Sequence, residues 1–219
     1  VIDRPFLLDV VDFIRNFAER IGPDGGVPSL GLKENGYLFL AGSEEKAALM
    51  EELAAMQRSH GAATEVWTPA QVQARFPWLN VEDLSAGSFG TRDEGWFDNM
   101  GLLAGFRAAA KAQGARFVTD EAVGVGITGG KVAGVHMAKG GVIACTPAGD
   151  AARTRAAVVA GWAGLALPVE PRKRTVFVID APNARHPDAP LLVDTGFYLR
   201  PEQGQWITAT VPQNDGPCD

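Results

Sequence analysis

Ala122-Val123-Gly124-Val125-Gly126-Ile127-Thr128-Gly129-Gly130-Lys131-Val132-Ala133-Gly134-Val135-His136-Met137 is the stretch whose reading decides the fold of this chain. Gly124 to Gly129 match Gly-x-Gly-x-x-Gly, and Asp150 lies about where a ribose-binding acid would be sought. That motif binds a dinucleotide only when it runs into a helix, because the helix N-terminus holds the pyrophosphate. Here Gly130, Gly134, Gly140 and Gly141 interrupt the residues behind the motif, and each glycine disfavours a helix by about 1 kcal/mol. Val123, Val125 and Ile127 share one face at period two, then Gly129-Gly130, then Val132 to Met137, then Gly140-Gly141. Two glycine pairs between alternating runs predict a three-stranded meander and a hairpin turn at Gly129, not a cofactor loop.

Outward from the meander the pattern mixes helices and strands. Val10, Ile14, Phe17 and Ile21 recur at helical spacing behind Pro5 and ahead of Gly22, which predicts one amphipathic helix over 5–21. A turn-rich link over 23–28 leads to a buried strand at Gly36 to Ala41. Ser43 is placed to cap a helix carrying Leu49, Leu53 and Met56 on one stripe. Thr68-Pro69-Ala70-Gln71 has the form of a capping box, with Pro77 closing a short helix. Asp98 precedes a helix expected to turn Leu102, Leu103, Phe106 and Ala110 inward, and residues 115–118 are a strand candidate. Ala156 to Ala160 read as a strand ending in a tight turn at Gly161-Trp162, followed by a proline crossing from Leu167 to Arg174. Strands are predicted at 175–179, 197–199 and 206–211, separated by proline-rich loops. This order implies two interleaved sheets in a mixed α+β or α/β chain.

With 219 residues the chain can bury a full core. Its hydrophobic fraction of 46% and charged fraction of 21% are those of an ordinary globular protein. The net charge of −6 argues against nucleic-acid binding, which needs a concentrated basic surface that Arg172-Lys173-Arg174 is too short to supply. Cys145 and Cys218 lie far apart, without metal spacing to each other or to His60, His136 or His186, so neither a disulfide framework nor a metal site is indicated. No apolar run approaches the roughly 20 residues of a membrane span, and no signal-peptide pattern opens the chain. A reducing cytosol is the simplest expectation, and oligomeric state is not legible.

Glu34-Asn35-Gly36-Tyr37-Leu38, Phe76-Pro77-Trp78-Leu79, Gly95-Trp96-Phe97-Asp98 with the helix behind it, and Pro168-Val169-Glu170-Pro171-Arg172 succeed one another in this order. In these segments the chain resembles the FAD-dependent oxidoreductases of the D-amino-acid oxidase and sarcosine oxidase family. The resemblance implies residues 1–23 as a linking helix, a substrate domain with an antiparallel sheet over 24–95 and 167–219, and part of a Rossmann-like FAD-binding domain, including the meander, over 96–166. It implies oxidation of the C–N bond of an amino acid or N-methylated amino acid, with FAD as cofactor and a small amine as substrate. Members of the family open with a strand, a glycine loop and a helix, and no such unit opens this sequence. The chain by itself is therefore expected to bind FAD weakly or not at all and to be inactive alone. The alternative function is a non-catalytic assembly or interaction module built on the same scaffold.

For the cofactor, the resemblance implies Val123, whose backbone would meet the adenine, and the small-residue segment Ala160-Gly161-Trp162 beside the flavin; a packed core valine and an ordinary strand-ending turn are the competing readings. The second segment is several residues shorter than the family pattern. For the substrate, Tyr198 and Arg200 lie two apart on a predicted strand and emerge on one face. An arginine fork takes a carboxylate in two hydrogen bonds and a tyrosine can close the pocket, whereas a surface salt bridge is the competing reading. Arg172 and Arg174 are read as solvated charges on a strand face, and Asp93-Glu94 as a solvated turn. No general base is assigned.

Overall fold

The computed structural model describes residues 4–22 and 27–217, which form two compact units. One takes the described residues up to Ala115 together with Thr175–Val211, and the other takes Arg116–Arg174 with the described residues from Pro212 onward. In chain order the elements are α1 (Arg4–Arg15), α2 (Phe17–Ile21), β1 (Tyr37–Ala41), α3 (Glu44–Ser59), β2 (Thr64–Trp67), α4 (Pro69–Arg75), β3 (Ala86–Gly90) and α5 (Asn99–Ala112). Then come β4 (Ala122–Thr128), β5 (Lys131–Met137), β6 (Val142–Ala144), α6 (Ala156–Trp162), β7 (Phe177–Ile179), β8 (Leu191–Asp194), β9 (Phe197–Glu202) and β10 (Gln205–Thr210).

The first unit is built on a seven-stranded sheet of order β2-β3-β1-β8-β9-β10-β7. It is mixed rather than purely antiparallel, because β1 and β8 run parallel, Leu38 opposite Leu192. One face is the core: Leu38, Val72, Phe76, Phe89 and Leu192 are buried together, with Leu199 packed against them. A second cluster joins Ile14, Phe17, Val27 and Leu30 to Leu102 and Phe97. Phe17 is sealed by α5, where Gly105 lets the ring approach the helix backbone.

Local signals set these elements. Ser43 accepts from the Lys46 amide to start α3, and Thr68 and Gln71 exchange both bonds of a capping box before α4. Asp98 Oδ1 accepts from the amides of Met100 and Gly101, each at 2.9 Å, at the start of α5. The helix predicted over 5–21 is divided at Asn16, whose side-chain amide donates to the carbonyl and the carboxylate of Asp12 instead of projecting away; the ends of the linking helix and of the 23–28 turn link fall partly outside the described residues.

The second unit carries the meander β4-β5-β6, antiparallel throughout. Gly129 and Gly130 take φ of 58° and 74°, the conformation a two-residue hairpin turn requires, and they lead into a strand rather than a helix. Gly124 to Gly129 is thus strand and turn, as alternation predicts.

Four expectations are corrected. Ala156–Trp162 is the helix α6, not a strand: three alanines favour helix, and the strands of this unit already pair among themselves. Residues 115–118 form no strand, for the same want of a partner ladder. The stripe Leu49, Leu53, Met56 on α3 is exposed, as are Leu103 and Phe106 on α5, because these helices bury their small faces, at Ala54 and Gly105, against the unit. The strand expected to carry Arg172 and Arg174 begins only at Phe177. Sequence reading also missed β2, β3 and β8.

Candidate functional site

The sheet face opposite the core is where chemistry collects. Leu199 faces Leu192 and the core, so strand alternation turns Tyr198, Arg200 and Glu202 to the open face. By the same alternation Tyr37, Phe39 and Val193 share that face, since Leu38 and Leu192 lie on the other. Tyr37 pairs with Leu191, one strand from β9, so Tyr37 and Arg200 stand two strand spacings apart, about 10 Å between backbones.

Arg200 is held from two sides. Its guanidinium lies 5.4 Å from the centroid of the Trp96 ring, within cation–π range, and Nη1 donates to Glu202 Oε2 at 2.5 Å. Its Nε and Nη2 edge has no hydrogen-bond partner among the described residues. Arg200 thus makes a salt bridge, and its other edge is unbonded among the described residues, with 22% of the side chain exposed.

Beside it, the loop 93–96 is clamped to the sheet. Lys33 and Trp96 exchange backbone bonds, Gly36 N–H donates to Glu94 O, and the Tyr37 hydroxyl donates to Gly95 O at 3.2 Å. Glu94 is not in a solvated turn. Its Oε2 accepts the Tyr37 N–H at 3.0 Å, and the carboxylate lies over Gly90, where any Cβ would collide with it. Burial pushes the Glu94 carboxyl above its ordinary pKa of 4.5, against the opposing pull of the Tyr37 amide. Burial also raises Tyr37, helped by the Glu94 charge and opposed by Arg200. Asp93 has the opposite character: a hydrogen bond from Arg15, at 2.6 Å, with a second from Arg92, holds its carboxyl below the ordinary range. Arg15 also bonds Glu34, tying the end of α1 to this loop.

The residues expected at a cofactor lie in the second unit. Val123 and Trp162 line one cleft of about 370 Å³ with Glu121, Ala152, Arg155 and Val158. Ala160 and Gly161 sit on α6 outside its lining. Arg172 pairs with Glu170, and Arg174 with Asp215 through Nη1 and Nη2. Among the described residues no group of His, Cys, Asp and Glu could hold a metal ion, and no helix is long and apolar enough to cross a membrane. His186 stacks on Trp78 at 4.4 Å, His136 lies in β5, and His60 ends α3. Cys145 is free.

Residues 4–217 match the family of FAD dependent oxidoreductases. The chain belongs to that family. It is 33% identical over 240 residues to an FAD-dependent oxidoreductase domain-containing protein 1 of Xenopus laevis, covering 94% of this chain and 48% of the relative. The chain thus spans about half the length of that relative. Among solved structures it resembles the L-proline dehydrogenase of P. horikoshii, with a TM-score of 0.83 at 23% identity over 97% of this chain and 56% of that one. It also resembles the glycine oxidase of Geobacillus kaustophilus, with a TM-score of 0.78 at 23% identity over 94% and 55%. These likenesses show the flavoprotein oxidase fold, and the chain has a large mixed sheet and a small antiparallel one.

The family's cofactor fits the described residues in part. The Val123–Trp162 cleft has the size of a nucleoside-scale ligand, with Arg155 in its lining. A glycine loop running into a helix, which would take a pyrophosphate, does not occur among the described residues, since the one sequence match is β4 and its turn. Tyr37, Glu94 and Trp96 were missed as site residues by sequence reading. The signal was present in Gly95-Trp96-Phe97-Asp98, but nothing in the sequence brings that loop under Arg200.

Proposed function

We propose that this chain is the substrate-binding portion of an FAD-dependent oxidoreductase that oxidises the C–N bond of an amino acid or N-methylated amino acid, in the manner of a sarcosine, D-amino-acid or glycine oxidase. The observation that carries this reading is Arg200: a partly buried guanidinium, fixed over Trp96, with a free edge beside Tyr198 on the open face of the sheet. A guanidinium so placed is pre-organised for a carboxylate, because stacking and Glu202 hold the plane while one edge stays available. When bound, FAD supplies the acceptor for a hydride from the carbon next to nitrogen. The chain's part is orientation: Arg200 anchors the carboxylate, Tyr198 borders the pocket, and Phe39 and Val193 give an apolar floor. Val123 is proposed to meet the adenine of the cofactor; Ala160-Gly161-Trp162, which the resemblance puts beside the flavin, are proposed at the adenosine end instead, because Trp162 lines one cleft with Val123.

Replacing Arg200 with Lys in the complete FAD-loaded enzyme tests this while keeping the charge. Loss of the fork should lower kcat/KM for carboxylated amines by about tenfold to a hundredfold, about 1.4 to 2.7 kcal/mol. Wild-type kcat/KM for every carboxylated amine tried would move the anchor elsewhere.

A further inference from the structure

We propose that Glu94 recognises the substrate nitrogen, so that the site takes an amine bearing a carboxylate, held by Glu94 at one end and Arg200 at the other. This inference rests on the substrate reading above. Phe89 lies opposite Leu38 on the core face, so Gly90 next to it presents to the open face, and the Glu94 carboxylate occupies the space above Gly90. Gly90, Tyr37 and Leu191 then form one transverse row across β3, β1 and β8, and Arg200 continues it on β9. From Gly90 to Arg200 is three strand spacings, about 14 Å between backbones, much of it spanned by the arginine stem and by the carboxylate above Gly90.

The two oxygens of Glu94 differ. Oε2 is taken by the Tyr37 amide, whereas Oε1 has no hydrogen-bond partner among the described residues and is not fully buried. No lysine, arginine or histidine among the described residues forms an ion pair with Glu94. Donors next to Glu94 in the loop are committed elsewhere, Arg15 to Glu34 and Asp93, Arg92 to Asp93, and the Tyr37 hydroxyl to Gly95 O, while Arg200 is bonded to Glu202. A half-buried carboxylate without a cation is costly, and a ligand ammonium would relieve that cost. Burial accordingly raises the Glu94 carboxyl, and a cation arriving at Oε1 would draw it back to the charged form. An ether or thioether of the same shape has no N–H to offer and leaves Oε1 unpaired, which is the condition under which a polar site discriminates strongly.

The test titrates the full chain, by its tryptophan fluorescence, with N-methylglycine and with (methylthio)acetate, which has the same length and carboxylate but no nitrogen. The wild type should bind N-methylglycine at least about tenfold more tightly. Glu94→Gln keeps an amide oxygen for the Tyr37 N–H and should reduce that preference to about twofold, leaving the thioether affinity unchanged. Equal weakening of both ligands, or of neither, would overturn the assignment. Should the variant fail to fold, the wild-type preference decides, and equal affinity for the two ligands refutes it. If Arg200→Lys loses both ligands while Glu94→Gln keeps the preference, Glu94 fails and the carboxylate reading stands; if the wild type binds neither, both fail.

Discussion

Replacing Gly90 with Ala should expel Glu94 from its seat. A Cβ on Gly90 would overlap Glu94 Oε2 and lie 2.6 Å from its Cδ, a separation that real Cβ atoms do not tolerate. The carboxylate must leave, and the Tyr37 N–H loses its acceptor inside the sheet. An orphaned backbone donor costs about 1 to 3 kcal/mol, and repacking around an added methyl costs about 1 to 3 kcal/mol more. The variant is therefore expected to lose about 2 to 6 kcal/mol, read as a lower urea midpoint at unchanged m. Glu94→Ala removes the colliding group, so Gly90→Ala made in that background should cost under about 1 kcal/mol. The coupling, at least about 1 kcal/mol, is the difference between the two measurements. Simple additivity of the two changes would refute the placement of the carboxylate over Gly90.

Asp98→Ala removes an oxygen that accepts two α5 amides at 2.9 Å and should cost about 1 to 2 kcal/mol, a fall of roughly 2 to 8 °C in Tm, while Asp98→Asn should recover most of it. A wild-type Tm for Asp98→Ala would mean that the cap is not formed in solution. The two neighbouring acids should pull stability in opposite directions with pH. Asp93 sits below its ordinary value of 3.8, so its contribution is present above that pH and is lost as pH falls toward the native value; Asp93→Asn should flatten this acid limb. Glu94 sits above 4.5, so its contribution is present below that pH and is lost as pH rises through the native value; Glu94→Gln should flatten that decline. Urea midpoints measured across pH 3 to 8 check both, and unchanged pH profiles in the variants would show that neither carboxyl is perturbed in the fold.

The sequence by itself determined what depends on near neighbours. The capping box at Thr68, the caps at Ser43 and Asp98, and the hairpin at Gly129-Gly130 are each settled by atoms a few residues apart, and alternation within residues 122–137 was enough to reject the glycine motif as a cofactor loop. The placement of Tyr198 and Arg200 on one face comes from the same alternation. Tertiary structure decided the rest, because a strand exists only with a partner and a charge acquires its chemistry only from what covers it. Thus Leu191–Asp194, short and behind prolines, became a strand by lying parallel to β1, while Ala156–Trp162, with no ladder to join, took the helix that its alanines prefer. Asp93 and Glu94, adjacent in sequence, differ in character because one meets Arg15, 78 residues away, and the other the Tyr37 amide, 57 residues away. Those separations carry no periodic signal, so only the folded sheet could bring Glu94, Trp96 and Arg200 to one face.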